Sequence, residues 1–175
     1  MIITFRGYGF RLAPGRRNIL RTIWVNLMLP SLTRTAIVTE ARAWIGTRYR
    51  HQGSVKGVGC DCLGLVRGIW RNCVGTEPEM PPPYAPDWAE ASGAETLAEA
   101  ATRHLVSVAL DDIRDGDVLL FRWRDGYVAK HAAIATGEGT MIHAHDGAAV
   151  CEVALSPWWI RRLAFAFRFP GVVED

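Results

Sequence analysis

The feature that most constrains this chain is a change of hydrophobic period between residues 105 and 118. Before it, apolar residues recur at helical spacing. Ile37, Ala41, Trp44 and Ile45 fall at i, i+4, i+7 and i+8, Val66, Ile69, Trp70 and Cys73 share a second face, and Leu97, Ala98, Ala101 and Leu105 share a third. Arg114-Asp115-Gly116-Asp117 then reads as a turn. Beyond it, residues 118–123, 131–136, 140–144, 148–154 and 163–169 form short apolar or alternating runs. Turns at Asp125-Gly126, Gly137-Glu138-Gly139 and Asp146-Gly147 separate them. Helices followed by an antiparallel meander of about five strands predict an α+β fold with helices packed on one sheet. A chain of 175 residues is long enough for one such domain and too short for two with a linker.

Outside this pattern lie two segments. Residues 77–86 hold five prolines, which excludes a helix interior or a central strand, so the segment must wrap the surface. Residues 1–32 contain five Arg, no acid, and the breakers Gly7, Gly9, Pro14 and Gly15, and read as a basic extension ahead of a domain spanning 33–175. The formal net charge of +2 hides an asymmetry: residues 1–60 carry ten Lys and Arg against Glu40 alone, the rest ten against seventeen acids. Without interleaved exposed aromatics or a recognition-helix pattern, this basic front does not make a nucleic-acid site. No apolar run reaches the length of a membrane span. The stretch 19–32 follows Arg16 and Arg17, but Arg21 interrupts it and no small-residue cleavage site closes it, so it is not read as a secretory signal. The cysteines at 60, 62, 73 and 151 are accordingly read as reduced thiols.

Chemistry concentrates in two places. Cys62 falls on the first turn of the second helix, with Asp61 as its N-cap, where unpaired N–H groups and the helix dipole favour a thiolate. On this ground Cys62 is a nucleophile with a lowered pKa or, as cysteines commonly are, a buried small apolar residue. His131 opens one predicted strand and His143 lies in the next, and a tight turn between antiparallel strands brings such residues side by side. His131 could then take the proton of Cys62 while His143 orients its ring. His145, two residues on, would share the strand face of His143 and is an alternative orienter. Cys60 and Cys62 are too close together for a usual zinc pair and no second pair exists, so no metal is expected. The acids cluster in turns and offer no clear glycosidase pair.

Five segments in order carry a resemblance: Trp44-Ile45-Gly46-Thr47-Arg48-Tyr49-Arg50-His51-Gln52-Gly53, then Gly59-Cys60-Asp61-Cys62-Leu63-Gly64-Leu65-Val66, then Gly116-Asp117-Val118-Leu119-Leu120-Phe121, then His131-Ala132-Ala133-Ile134, then Ile142-His143-Ala144. Together, over roughly residues 33–170, they resemble the signatures of NlpC-type cell-wall cysteine peptidases. Glu77-Pro78-Glu79 and the stretch from Pro81 to Glu90 further resemble the phage-type branch, including tail peptidases of phages and gene transfer agents. The chain departs from the family at Arg48, Cys60, Leu63 and Ala132-Ala133, where Pro, an aromatic, Ser and Val-Gly are frequent.

The resemblance implies a permuted papain-like fold, with Cys62 as nucleophile, His131 as base and His143 as third polar member. Tyr49 and the Cys62 N–H would serve the oxyanion, beside Asp61. It implies a cysteine endopeptidase cutting peptidoglycan stem peptides, at the bond between γ-D-glutamate and the diamino acid, without metal or cofactor. Its expected partners are peptidoglycan and phage-like tail or baseplate proteins. Such a protein would be made in the cytoplasm and carried on a tail particle to act in the periplasm or cell wall. An amidase or acyltransferase on the same fold, or a non-catalytic tail protein, is the alternative.

Overall fold

The computed structural model describes residues 31–85 and 93–175. The predicted basic extension, apart from its last two residues, lies outside the described residues, as does the stretch 86–92 that follows the proline segment. Helix α1 (Arg34–Arg42) starts where Thr33 caps it, its hydroxyl accepting from the Ala36 N–H at 3.2 Å. A short hairpin, β1 (Ser54–Val55) and β2 (Gly59–Cys60), precedes α2 (Cys62–Cys73). Helix α3 (Thr96–His104) completes the helical half. The strands are β3 (Val106–Val108), β4 (Val118–Arg122), β5 (Ala129–Thr136), β6 (Thr140–His143), β7 (Cys151–Ala154) and β8 (Leu163–Arg168), with a one-turn helix α4 (Pro157–Ile160) before β8. They form one antiparallel sheet in the order β3-β8-β4-β5-β6-β7.

The sheet therefore has six strands where the hydrophobic pattern predicts about five. The additional edge strand, β3, is three residues long and mostly exposed, so burial imposes no alternation on it. The run 148–154 also divides. Only β7 joins the sheet, while residues 148–150 pair with the turn after α1, through Gly46 N–H to the Val150 oxygen (2.9 Å), Val150 N–H to the Thr47 oxygen (2.8 Å) and Tyr49 N–H to the Ala148 oxygen (3.1 Å). That pairing carries Tyr49 to the start of α2.

Strand β4 is buried on both faces, and its alternation separates two cores. Val118 and Leu120 face the helices with Ile37, Trp44, Leu65, Ile69, Ile134, Ile142, Phe167 and Phe169, whereas Leu119 and Phe121 join Ala133, Met141 and Ala166 on the far side, covered by Trp159, Leu155 and Leu163. Each fully buried aliphatic side chain of this set contributes about 1.5–3 kcal/mol. Two glycines of α2 set its position. A Cβ at Gly68 would overlap the Trp44 ring, and one at Gly64 would overlap the Gly53 carbonyl oxygen, so the loop before β1 can lie directly on the first turn of α2. The proline segment wraps α2 as expected. Glu77 pairs with Arg67 (2.6 Å) and with Arg71, and Glu79 with Arg103 (2.7 Å) and His104 (3.3 Å).

Candidate active site

Asp61 and Cys62 sit at the junction of β2 and α2. The Asp61 carboxylate, only 2% exposed, caps the helix by accepting from the Gly64 N–H at 2.7 Å. Its other oxygen accepts from the Gln52 N–H (2.6 Å) and the Tyr84 hydroxyl (2.5 Å), with His51 Nδ1 3.8 Å away. Gln52 makes its bond from a left-handed backbone (φ 60), strained for a non-glycine residue and held here by the carboxylate it faces. Tyr84 is brought in by the proline segment, and its carbonyl oxygen accepts from Gln52 Nε2 and lies 2.7 Å from His51 Nε2.

Cys62 is the first residue of α2, and its Sγ lies 4.0 Å from the Lys130 carbonyl oxygen on β5. Its own N–H and those of Leu63 and Ala132 favour the thiolate. Burial and the neighbouring Asp61 carboxylate oppose them and prevail, pushing the thiol up to about 11. This runs against the expectation of a lowered pKa: the helix N-terminus favours the thiolate, and desolvation at the half-buried Cys62 together with the adjacent carboxylate outweighs it. Cys60, wholly buried in β2, is pushed up by burial to about 12. All four cysteines are free.

His131 and His143 come from neighbouring strands. The register Ile134↔Ile142 puts them on one face as diagonal neighbours, and His131 Nε2 lies 3.0 Å from His143 Nδ1. Both are 5% exposed. Burial, with smaller repulsion from the other histidines, pushes His131 down to about 3 and His143 to about 4. Since Nε2 of His131 is engaged with His143, Nδ1 is the nitrogen left to accept a proton from Cys62. His145 stands apart. Strand β6 ends at His143, the chain turns at Asp146-Gly147, and His145 is exposed with Nδ1 2.9 Å from the Asp146 oxygen. Its ring centroid is 6.0 Å from that of His131. The Nε2 bond to His131 is thus made by His143, and His145 stands at the rim.

One cleft of about 250 Å³ joins these groups, lined by Cys62, His131, Tyr49, Tyr84, His51 and His145 among others, while His143 lies behind His131. Tyr49 remains a hydroxyl donor, pushed up to about 12 chiefly by burial and also by the Cys62 and Asp61 charges. Sequence reasoning missed His51, Tyr84 and the tryptophans around His131. His51 stands inside the first quoted motif, which gave it no role, and Tyr84 lies in a proline stretch whose path across the surface no local pattern reveals. Among the described residues, no three His, Cys, Asp or Glu side chains are grouped as a metal ion requires. Nor is any described helix long and apolar enough to cross a membrane.

Comparison with known proteins gives a consistent picture. The NlpC/P60 family matches residues 46–168. The chain is 28% identical over 138 residues to the murein DD-endopeptidase MepS/murein LD-carboxypeptidase of Escherichia coli (strain K12), covering 78% of this chain and 63% of that protein. It is 30% identical over 144 residues to the gamma-DL-glutamyl hydrolase of Bacillus subtilis (strain 168), covering 82% of this chain and 31% of that protein. The chain thus spans less than two thirds of the length of these curated relatives. The solved NlpC/p60 domain of the peptidoglycan hydrolase SagA superposes with a TM-score of 0.55 at 25% identity, over 78% of this chain and 99% of that domain.

Proposed function

The chain belongs to the NlpC/P60 family, and on that basis we propose that it is a cysteine peptidase hydrolysing the stem peptides of peptidoglycan. The observation that carries this reading is the cleft itself. Cys62, at a helix N-terminus, and His131, held through Nε2 by His143, line the same cavity. Substrate binding excludes the remaining water, and Cys62 transfers its proton to His131 Nδ1 as sulfur attacks the carbonyl carbon. The backbone N–H of Cys62 and the Tyr49 hydroxyl stabilise the oxyanion. His131 then returns the proton to the leaving amine, and water, deprotonated by the same imidazole, releases the acyl group from sulfur.

The bond cut is the one between γ-D-glutamate and the diamino acid. The family resemblance supports this choice, as does similarity to a gamma-DL-glutamyl hydrolase. The protein acts from a phage-like tail or baseplate, with residues 1–32 as a docking extension. Support for this comes from the acid-free, Arg-rich composition of that segment and from the resemblance of the proline stretch to the phage-type branch. Mass spectrometry of purified muropeptides digested with wild-type and Cys62→Ala protein tests the chemistry. The wild type should release the dipeptide ending in γ-D-glutamate, and intact muropeptides in both digests would refute the assignment. A chain beginning at Met28 tests the extension: it should keep muropeptide cleavage and lose salt-sensitive association with its particle or with intact cell wall.

A further inference from the structure

His131 is enclosed by aromatic rings that the mechanism has not used. Trp159 stacks on its imidazole with ring centroids 5.4 Å apart and planes 24° apart. Trp123 lies at 5.6 Å and 33°, and Phe121 at 6.2 Å and 43°. Trp159 also meets His143 edge-on, at 5.3 Å and 89°. It touches both partners of the Nε2–Nδ1 bond. The indole is itself braced. It packs on Phe121 (4.9 Å, 66°), and α4, which carries it, is tied to the end of β4 by Arg162, whose Nε donates to the Trp123 oxygen (3.2 Å) and Nη1 to the Trp158 oxygen (3.0 Å).

We infer that Trp159 is the positioning residue for His131: its stacked indole fixes the imidazole plane, keeping Nε2 on His143 and leaving Nδ1 for Cys62. An imidazole on a strand can rotate about its last side-chain bond, a broad torsion that hydrogen bonding alone confines loosely. A flat ring against its face removes that freedom. The same surface keeps water from the histidine pair, so its loss lets water reach the imidazole. The titratable groups around His131 are His143 and His145 from the β6 side and, lining the shared cleft, Cys62, Asp61, His51, Tyr49, Tyr84, Lys130 and Asp146.

This role rests on the peptidase reading, but its test does not depend on activity alone. In ¹⁵N-histidine NMR of the wild type, His131 should be neutral with its proton on Nε2 from pH 5 to 8. Trp159→Leu keeps an apolar group and removes the flat face. It should mix the two tautomers, move the His131 midpoint up towards the ordinary imidazole value, raise the acid limb of kcat/KM with it, and lower kcat by about 10- to 100-fold with KM changed less than about threefold. Trp159→Phe, which restores a flat face, should recover the Nε2 tautomer and kcat to within about threefold. Tyr127→Leu, a change at an exposed ring that packs on Arg124 and lies outside this cage, should leave all of these unchanged. A wild-type His131 protonated on Nδ1, or titrating near 6.5, overturns the inference whether or not the leucine variant folds. So does a folded Trp159→Leu protein with wild-type tautomer and kcat, or a phenylalanine variant as impaired as the leucine one. An inactive wild type with the expected NMR signature refutes the peptidase reading and supports the positioning of His131.

Discussion

At the start of α2, Cys62 is surrounded by polar groups: backbone N–H donors, the Asp61 carboxylate, and the hydroxyl and amide groups that share that carboxylate. On β5 and β6, His131 and His143 are surrounded by rings, with hydrogen bonding reduced to the contact between them. The two halves reach the same neutral charge, chiefly through burial in both, with the Asp61 carboxylate adding to it at the thiol. Burial and a neighbouring carboxylate keep the thiol protonated, whereas an apolar shell keeps the imidazoles neutral. In the mechanism proposed above the proton accordingly stays on sulfur until the bond to the carbonyl carbon forms.

The strongest way to break this comparison is to remove one member from each half. Cys62→Ala and His131→Ala should each lower muropeptide turnover by about 10⁴-fold or more, and the double variant should be no worse than either single one. Additive losses in stably folded protein would mean that the two halves do not act as one unit. Next, within the sheet half, His143→Gln should reduce kcat by about 10- to 100-fold, because glutamine can still accept from Nε2–H, while His145→Ala stays within about threefold. A silent change at His143 with a damaging one at His145 would reassign the third member.

Proton linkage separates the halves without substrate. Both imidazoles titrate lower in the fold than in the unfolded chain, so between pH 6.5 and about 4 the unfolded state binds more protons. Stability should therefore fall as pH drops through this range, by about 3 kcal/mol for each imidazole, and the dependence of urea midpoints on pH should roughly halve in the His143→Gln variant. The thiol titrates on the other side of neutrality. Iodoacetamide labelling of Cys62, followed by mass mapping, should accelerate steadily as pH rises from 6 to 10, with Cys60 protected throughout by burial. Rapid labelling of Cys62 at pH 6 would show a preformed thiolate. The smallest effect on reactivity belongs to Asp61→Asn. Its oxygen can still cap Gly64, but its NH2 group meets the Gln52 N–H and the Tyr84 hydroxyl, so stability should fall by about 1–3 kcal/mol, and it removes the charge opposing the thiolate, so labelling at pH 8 should quicken by a few-fold.

Much of this arrangement is legible along the chain. The second and third helical faces and the main strand runs follow from side-chain period, whereas the first helix ends at Arg42, before Trp44 and Ile45 of its predicted face, and Ile45 is exposed. Asp61 as N-cap and Cys62 in the first helical turn follow equally from local rules. What escapes such rules depends on contacts between distant segments. Strand β3 is exposed and pairs only with β8, so its residues carry no pattern of their own. Tyr84 reaches Asp61 because Glu77 and Glu79 hold the proline segment against α2 and α3. Trp159 reaches His131 because a single turn of helix places it on the far face of the sheet.

The histidines show where the division falls. Sequence alone determines that His131 and His143 lie on adjoining strands, because a tight turn and period-two alternation put residues so spaced on one face. Sequence alone also leaves His143 and His145 equivalent, since they differ by one full period. Tertiary structure separates them: β6 ends at His143, which contacts His131, the Asp146-Gly147 turn carries His145 outward to solvent, and Trp159 packs on both rings of the contacting pair. The protonation state is decided there too. A helix N-terminus is a local feature that lowers a thiol pKa, but desolvation depends on everything packed around the sulfur, and for Cys62 that sum has the opposite sign.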